Sequence, residues 1–128
     1  MSRLLHDWVR EQADHRGDAT AVVLQDERLS YGELEASSNR LARALRQQGC
    51  ARGDRVCLLM PKSPLAIACL LGIYKADCIY VPLDPSSPVS RLAKIVSSCE
   101  PGCVLAAGNT ATVLEHLQIG RASWIATL

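Results

Sequence analysis

Between Leu71 and Pro85 the chain reads Leu-Gly-Ile-Tyr-Lys-Ala-Asp-Cys-Ile-Tyr-Val-Pro-Leu-Asp-Pro, and no other stretch restricts the fold so tightly. It begins as the last turns of an apolar helix opened by Pro64, breaks at Asp77, and becomes within two residues a β-branched and aromatic run that meets Pro82. A helix is thereby delivered directly into a strand. Asp77 stands at the C′ position of that helix, where the backbone adopts positive φ and Gly or Asn is favoured; Asp is tolerated there at some cost. Pro82 has no N–H to give to a ladder, so its strand ends there or lies at an unpaired edge.

The same rhythm of strand, helix and strand repeats along the second half of the chain. Apolar runs start near Val56, Ile79, Val104 and Ser123, with Leu65–Tyr74, Val89–Cys99 and Thr110–Leu117 as the helices between them. Strands joined through helices of this length are parallel, with right-handed crossovers. The run from Val56 to Met60 is apolar throughout, as a central strand covered on both faces must be. The fold class is therefore α/β, a three-layer, mainly parallel sheet with crossover helices, and no linker or repeat divides residues 1–128 into more than one domain.

Local signals place the helix ends. Ser30 and Glu33 form a capping box, with Leu29 and Leu34 as its hydrophobic staple, and the helix that follows buries Leu41, Ala42 and Leu45 before Gly49 stops it. Ser63 and Pro64 are an N-cap and first-turn proline, and Ser87 and Pro88 repeat that order ahead of a stripe made by Val89, Leu92, Ala93, Val96 and Cys99. At the N-terminus Leu4, Leu5, Trp8 and Val9 form the apolar side of a short helix ending at Gly17 and Asp18, with Trp8 as its packing anchor. Ala21–Leu24, a turn at Asp26 and Glu27, and a return through Arg28 and Leu29 form a hairpin.

Three of these segments together resemble one family. Lys75 to Pro85 is similar to the Lys-Ala-Gly-x-x-Tyr-Val-Pro-Leu-Asp-Pro signature of adenylate-forming (AMP-binding) ligases, with Asp77 in place of the usual Gly. Leu29-Ser30-Tyr31-Gly32-Glu33-Leu34 resembles the earlier Leu-Thr-Tyr-x-Glu-Leu signature, and Pro88 and Arg91 fit the Pro-x-x-Arg-Leu continuation. The likeness leans toward amino-acid adenylation domains of nonribosomal peptide synthetases and extends to acyl-CoA ligases. It covers residues 4–128, which correspond to the N-terminal quarter or so of such an enzyme, so the chain reads as a single partial domain.

The resemblance implies a carboxylate joined to AMP at the expense of ATP with magnesium, and acyl transfer to coenzyme A or a carrier protein. That chemistry calls for a Gly/Ser/Thr loop with a Lys for the triphosphate, an acidic residue for nucleotide and metal, and a mobile Lys-bearing C-terminal domain. In the family these all lie downstream of the matched region. The nearest thing to a phosphate loop here is Ala107–Thr112, with a single Gly and no Lys. His6, His15 and His116 are scattered without a nucleophile motif, and Asp84 precedes Pro85 as a turn cap lacking a catalytic partner. Lys62 follows a strand's carboxyl end, where α/β sheets bind ligands, and reads as a functional lysine or a plain loop lysine. No residue is therefore assigned to catalysis or to metal binding, and residues that bind a cofactor are left unassigned; the chain by itself takes no cofactor.

Charge excludes other classes. The 14 Lys+Arg balance 13 Asp+Glu, which provides no footprint for nucleic acid or an anionic membrane. Arg40, Arg43 and Arg46 share one helix side and read as a solvated face interleaved with Glu35. Charged residues interrupt the N-terminal run before it reaches signal-peptide or membrane length, which makes the expected location cytoplasmic. Of six cysteines, Cys57, Cys69, Cys78 and Cys103 sit in apolar runs as small hydrophobes in reduced form, and the Cys99/Cys103 spacing lacks the second pair that a zinc site needs.

Two functions follow. The first is an N-terminal scaffold fragment of an AMP-forming acid–thiol ligase or amino-acid adenylation domain, inert until a complementary chain supplies the rest. The alternative is a non-catalytic interaction module whose apolar last strand, Trp124–Leu128, pairs with a carrier protein, a synthetase or another copy of itself.

Overall fold

The computed structural model describes residues 4–117 and 124–126, and is built as α1 (Leu5–Arg16), β1 (Thr20–Leu24), β2 (Glu27–Ser30), α2 (Tyr31–Gln47), β3 (Arg55–Leu59), α3 (Pro64–Lys75), β4 (Ile79–Leu83), α4 (Val89–Cys99), β5 (Cys103–Ala106), α5 (Ala111–Leu117) and β6 (Trp124–Ala126). Strands β3 to β6 form one parallel sheet in the order β4-β3-β5-β6, and β1 and β2 an antiparallel hairpin. This is the predicted three-layer α/β architecture.

Side-chain alternation along the sheet builds two cores. Val56, Leu58, Cys103 and Leu105 face α2 and α3, where they meet Leu41, Leu45, Cys69 and Ile73. Cys57, Leu59, Val104 and Ala106 face the other way, onto Leu92 of α4 and Val113 and Leu114 of α5. Leu45, Val56, Leu59, Ile73 and Leu92 are all completely buried, each contributing on the order of 1.5–3 kcal/mol. Because α3 and α4 connect strands in opposite directions across β3, right-handed crossovers put them on opposite faces. A third, smaller core ties the hairpin to the helices through Leu34, Ala68 and Leu71, with Val9, Val22 and Leu29 against them.

The helix-to-strand joint forms as its residues dictate. Asp77 has φ 60°, and the Cys78 N–H reaches back to the Ile73 carbonyl at 3.1 Å, closing the last turn of α3. Pro82 does not end β4. It pairs opposite Leu58 within the strand, which is tolerated because β4 lies at the sheet edge and leaves one side free of a ladder. The Ser30/Glu33 box is present, with the Glu33 N–H 3.1 Å from Ser30 Oγ and the Ser30 N–H 2.9 Å from Glu33 Oε1. Ser63 Oγ accepts from the Ala66 N–H at 3.1 Å, and Gly49 has φ 94° just past α2.

Four local expectations are corrected. Trp8 is not a core anchor: no residue of α1 is fully buried, Trp8 is 53% exposed, and Val9 makes the apolar contact instead. Ser87 is not the cap of α4, because Pro88 holds φ −57° and ψ 140° and is itself the extended residue before the first helical one. The buried side of α4 is Leu92, Ile95, Val96 and Cys99, while Ala93 is exposed, one position off the 3.6-residue stripe. In the hairpin the turn is Gln25 and Asp26, Gln25 having φ 55°, so Glu27 already belongs to β2. The predicted last strand is described over Trp124–Ala126, in register with Val104–Ala106; Ser123, Thr127 and Leu128 lie outside the described residues.

Candidate functional site

In strand order β4-β3-β5-β6 the chain leaves β3 toward one edge and returns on its other side, so the topological switch lies between β3 and β5. The two loops that meet there are Met60–Ser63 and Ala107–Thr110. They touch: a Cβ on Gly108, which has φ 73°, would lie 3.2 Å from Pro61 Cδ. Thr110 is buried and turns its hydroxyl to the Ala107 carbonyl at 3.4 Å. The loop that came nearest to a phosphate cradle thus closes on its own backbone and on Pro61.

A concavity of about 560 Å³ begins at the same Met60–Ser63 loop and opens on the α3 side of the sheet. Its floor is Leu58, Met60, Tyr80 and Pro82, one wall is Ala66, Ile67 and Leu70 of α3, and the other is Val22–Leu24 of the hairpin. Lys62, Ser63 and Asp84 bring polarity to the end of the cleft nearest the strands' carboxyl termini. Asp84 Oδ1 accepts from the Ser86 N–H at 2.9 Å and from the Ser86 hydroxyl at 2.7 Å. Those bonds first, and then the charge of Lys62, hold its carboxyl below the usual range, so near neutral pH Asp84 is an anion with no proton to give. Tyr80 stacks edge-on against Tyr74 with centroids 6.4 Å apart; burial, followed by Tyr74, pushes its phenol up. The cleft is thus an apolar trough with one cation and one anion at its end, suited to holding a ligand or a segment of protein.

The first residue of the main signature has a different task. Lys75 Nζ donates to Glu35 Oε1 at 2.6 Å, to Ser38 Oγ at 2.8 Å and to Asn39 Oδ1 at 2.9 Å, with 9% of its side chain exposed. Arg46 Nη2 reaches the Lys75 carbonyl at 2.6 Å and so caps α3, a role added to an otherwise exposed arginine side that includes Arg40 and Arg43. Where α2 and α3 approach, Gly72 leaves room for Leu41: an added Cβ would lie 2.8 Å from Leu41 Cδ2. Nothing in the spacing of Lys75 announced this network; the signal was an ammonium ending an apolar helix, with Glu35, Ser38 and Asn39 on one side of the preceding one.

The remaining candidates stay apart. His6 and His15 lie on α1, and His116 Nδ1 is 2.7 Å from the Thr112 carbonyl on α5. The Cys99 sulfur lies 3.6 Å from that of Cys57, and all six thiols are free. Burial pushes the Cys57, Cys69 and Cys103 thiols up to about 12. Among the described residues no group of three or more His, Cys, Asp or Glu side chains is arranged to hold a metal ion, and no helix is long and apolar enough to cross a membrane.

An open parallel sheet with helices on both faces and a cleft at its strands' carboxyl ends defines an α/β fold of the adenylate-forming type. The chain belongs to the AMP-binding enzyme family, whose model matches residues 9–125. It is 37% identical over 111 residues to bacitracin synthase 3 of Bacillus licheniformis, covering 87% of this chain and 2% of that protein. It is 39% identical over 102 residues to malpinin synthetase of Mortierella alpina, covering 80% of this chain and 1% of that protein. Among solved structures, the nonribosomal peptide synthetase FmoA3 with α-methyl-L-serine-AMP bound superposes with a TM-score of 0.86 at 31% identity, over 97% of this chain and 14% of that one. The N-terminal domain of FACL13 from Mycobacterium tuberculosis gives 0.86 at 26% identity, over 98% of this chain and 34% of that domain. The chain thus spans 1–2% of the length of these two curated relatives and corresponds to part of an adenylate-forming ligase's N-terminal domain.

Proposed function

We propose that residues 1–128 are the N-terminal scaffold of an amino-acid adenylation unit, one part of a domain that activates a carboxylate as its acyl-adenylate at the expense of ATP and then passes it to a thiol. The observation that carries this reading is the family match over residues 9–125, in which the three signatures fall on structural joints: the α2 cap, the α3–β4 joint and the start of α4. The residues described here do not fit the magnesium and triphosphate of that reaction. The switch-point loop closes on Pro61, the only carboxylate lining the cleft is Asp84, and Asp84 is already engaged by Ser86. Groups that handle nucleotide and metal therefore come from residues outside this region, in the same polypeptide or a second one.

Amino-acid-dependent exchange of pyrophosphate into ATP tests the proposal. The 128-residue chain alone gives no exchange; fused to the remaining part of a homologous adenylation domain it gives exchange above either part alone. Exchange by the 128 residues alone overturns the proposal, as does a correctly folded fusion that stays silent.

A second reading, a non-catalytic interaction module, is favoured by one observation: β4 and β6 are the edges of the sheet, and Val23 at 55% and Ile67 at 38% exposed flank the cleft. Under that reading the occupant is a carrier protein, a synthetase or a second copy of this chain. Sedimentation of the isolated chain as a dimer supports self-pairing; a monomer at every concentration removes it.

A further inference from the structure

The Cys57–Cys99 contact stands outside the function proposed above. Cys57 lies in the middle of β3 and is completely buried on the α4 side of the sheet, while Cys99 is the final residue of α4 and only partly covered. Their sulfurs are 3.6 Å apart, across 42 residues of sequence. A disulfide needs the sulfurs to close by on the order of 1.5 Å. Most of that movement falls to Cys99, since it ends its helix and is followed by Glu100 at φ 45°, Pro101 and Gly102, a turn outside any element. Cys99 is only partly covered and lines a surface depression shared with Arg55, Lys94, Ile95 and Ser98, which gives a small oxidant a path toward it from solvent. Arg55 and Lys94 there oppose the negative end of the α4 dipole. Cys50 and Cys103 also interact through their side chains, but both are buried, whereas Cys99 is only partly covered.

We infer that Cys57 and Cys99 form a two-cysteine modification site that a peroxide oxidises to a disulfide fastening the end of α4 to the central strand. In the first step the Cys99 sulfur attacks one peroxide oxygen; an S–O bond forms, the O–O bond breaks, and the leaving oxygen takes the thiol proton and departs as water. In the second, the Cys57 sulfur attacks the sulfenic sulfur; the S–S bond forms, the S–O bond breaks, and water leaves with the Cys57 proton. Two thiols and one hydrogen peroxide thus give one disulfide and two waters. A dithiol returns the pair to the reduced state. Because Cys57 is enclosed by the core and ordinarily protonated, its only route to oxidation is through Cys99, and the step is slow relative to dedicated peroxide sensors.

Peptide mapping of the native 128-residue chain decides the question. The chain is treated with hydrogen peroxide, alkylated and digested without reduction. The expected result is one linked species joining Val56–Lys62 to the peptide carrying Cys99, lighter by two hydrogens, with fragmentation placing the bond on Cys99 rather than Cys103. Two of the six thiols are lost to titration and a dithiol restores them. In Cys99→Ser the link is absent and Cys57 stays reduced. Oxidation of Cys99 to the sulfinic acid without a link, a bond from Cys99 to Cys103, or loss of the Cys57 thiol in Cys99→Ser each overturns the inference. The wild-type map is decisive by itself should the variant misfold.

Discussion

Replacing Lys75 with Met removes the ammonium that three side chains of α2 surround and leaves the apolar stem in place. Lys75 is 9% and Glu35 18% exposed, so this is a largely buried pair, with Ser38 completely buried beside it. Deleting one member of a fully buried pair costs about 3–5 kcal/mol, mostly as the stranded partner. Glu35 recovers part of that by rotating toward water, while Ser38 keeps its bond to the Glu35 carbonyl at 3.0 Å, so the expected loss is about 2–3 kcal/mol. For a chain of this size that lowers the melting temperature by roughly 8–12 °C. Urea unfolding followed by circular dichroism reads it, with the denaturant slope unchanged. In a double-mutant cycle, Lys75→Met with Glu35→Leu destabilises by about 1–2 kcal/mol less than the sum of the single changes. A loss below about 0.5 kcal/mol with additive single effects would refute the assignment of Lys75 as the α2–α3 clamp.

Three further outcomes follow from the same geometry. Asp77→Gly relieves a left-handed residue at φ 60° and raises stability by up to about 1 kcal/mol in denaturant titration; a loss contradicts the conformation of that turn. Gly72→Ala drives a methyl group to within 3 Å of Leu41 and lowers stability by about 1–3 kcal/mol, and pairing it with Leu41→Ala restores part of the loss; no recovery means the strain lies elsewhere. The Ser30 N–H and hydroxyl hold the Glu33 carboxyl below its ordinary 4.5. Its stabilising contribution is complete above the ordinary carboxylate range and disappears as pH falls through the lowered value, so the stability gap between wild type and Glu33→Ala narrows from pH 6 toward about pH 3. A gap independent of pH contradicts the charged half of the capping box.

The sequence carried most of the fold because its signals were local. Pro64 after Ser63, the Ser30/Glu33 box, Gly49 and Asp77 each fix a backbone angle or satisfy a helix-end donor through neighbours a few residues away, and all four appear where expected. The unbroken apolar run of β3 identified a strand covered twice before any partner was known. What was not legible is tertiary. The amphipathic pattern at Leu4–Val9 has the right period, yet Val9 packs against the core while Leu4, Leu5 and Trp8 stay more than half exposed. The Lys75 clamp spans 36 to 40 residues and the Cys57–Cys99 contact 42, so no window of sequence contains either. The cleft escaped for the same reason, since its walls come from β1 and α3, elements that periodicity describes separately.

Calorimetric titration of the 128-residue chain with ATP in the presence of magnesium tests the central claim most directly. The account predicts no saturable heat at millimolar nucleotide, because the switch-point loop packs against Pro61 and Asp84 is engaged by Ser86. Saturable binding with a defined stoichiometry would contradict it, and would mean that this region holds a triphosphate site of its own.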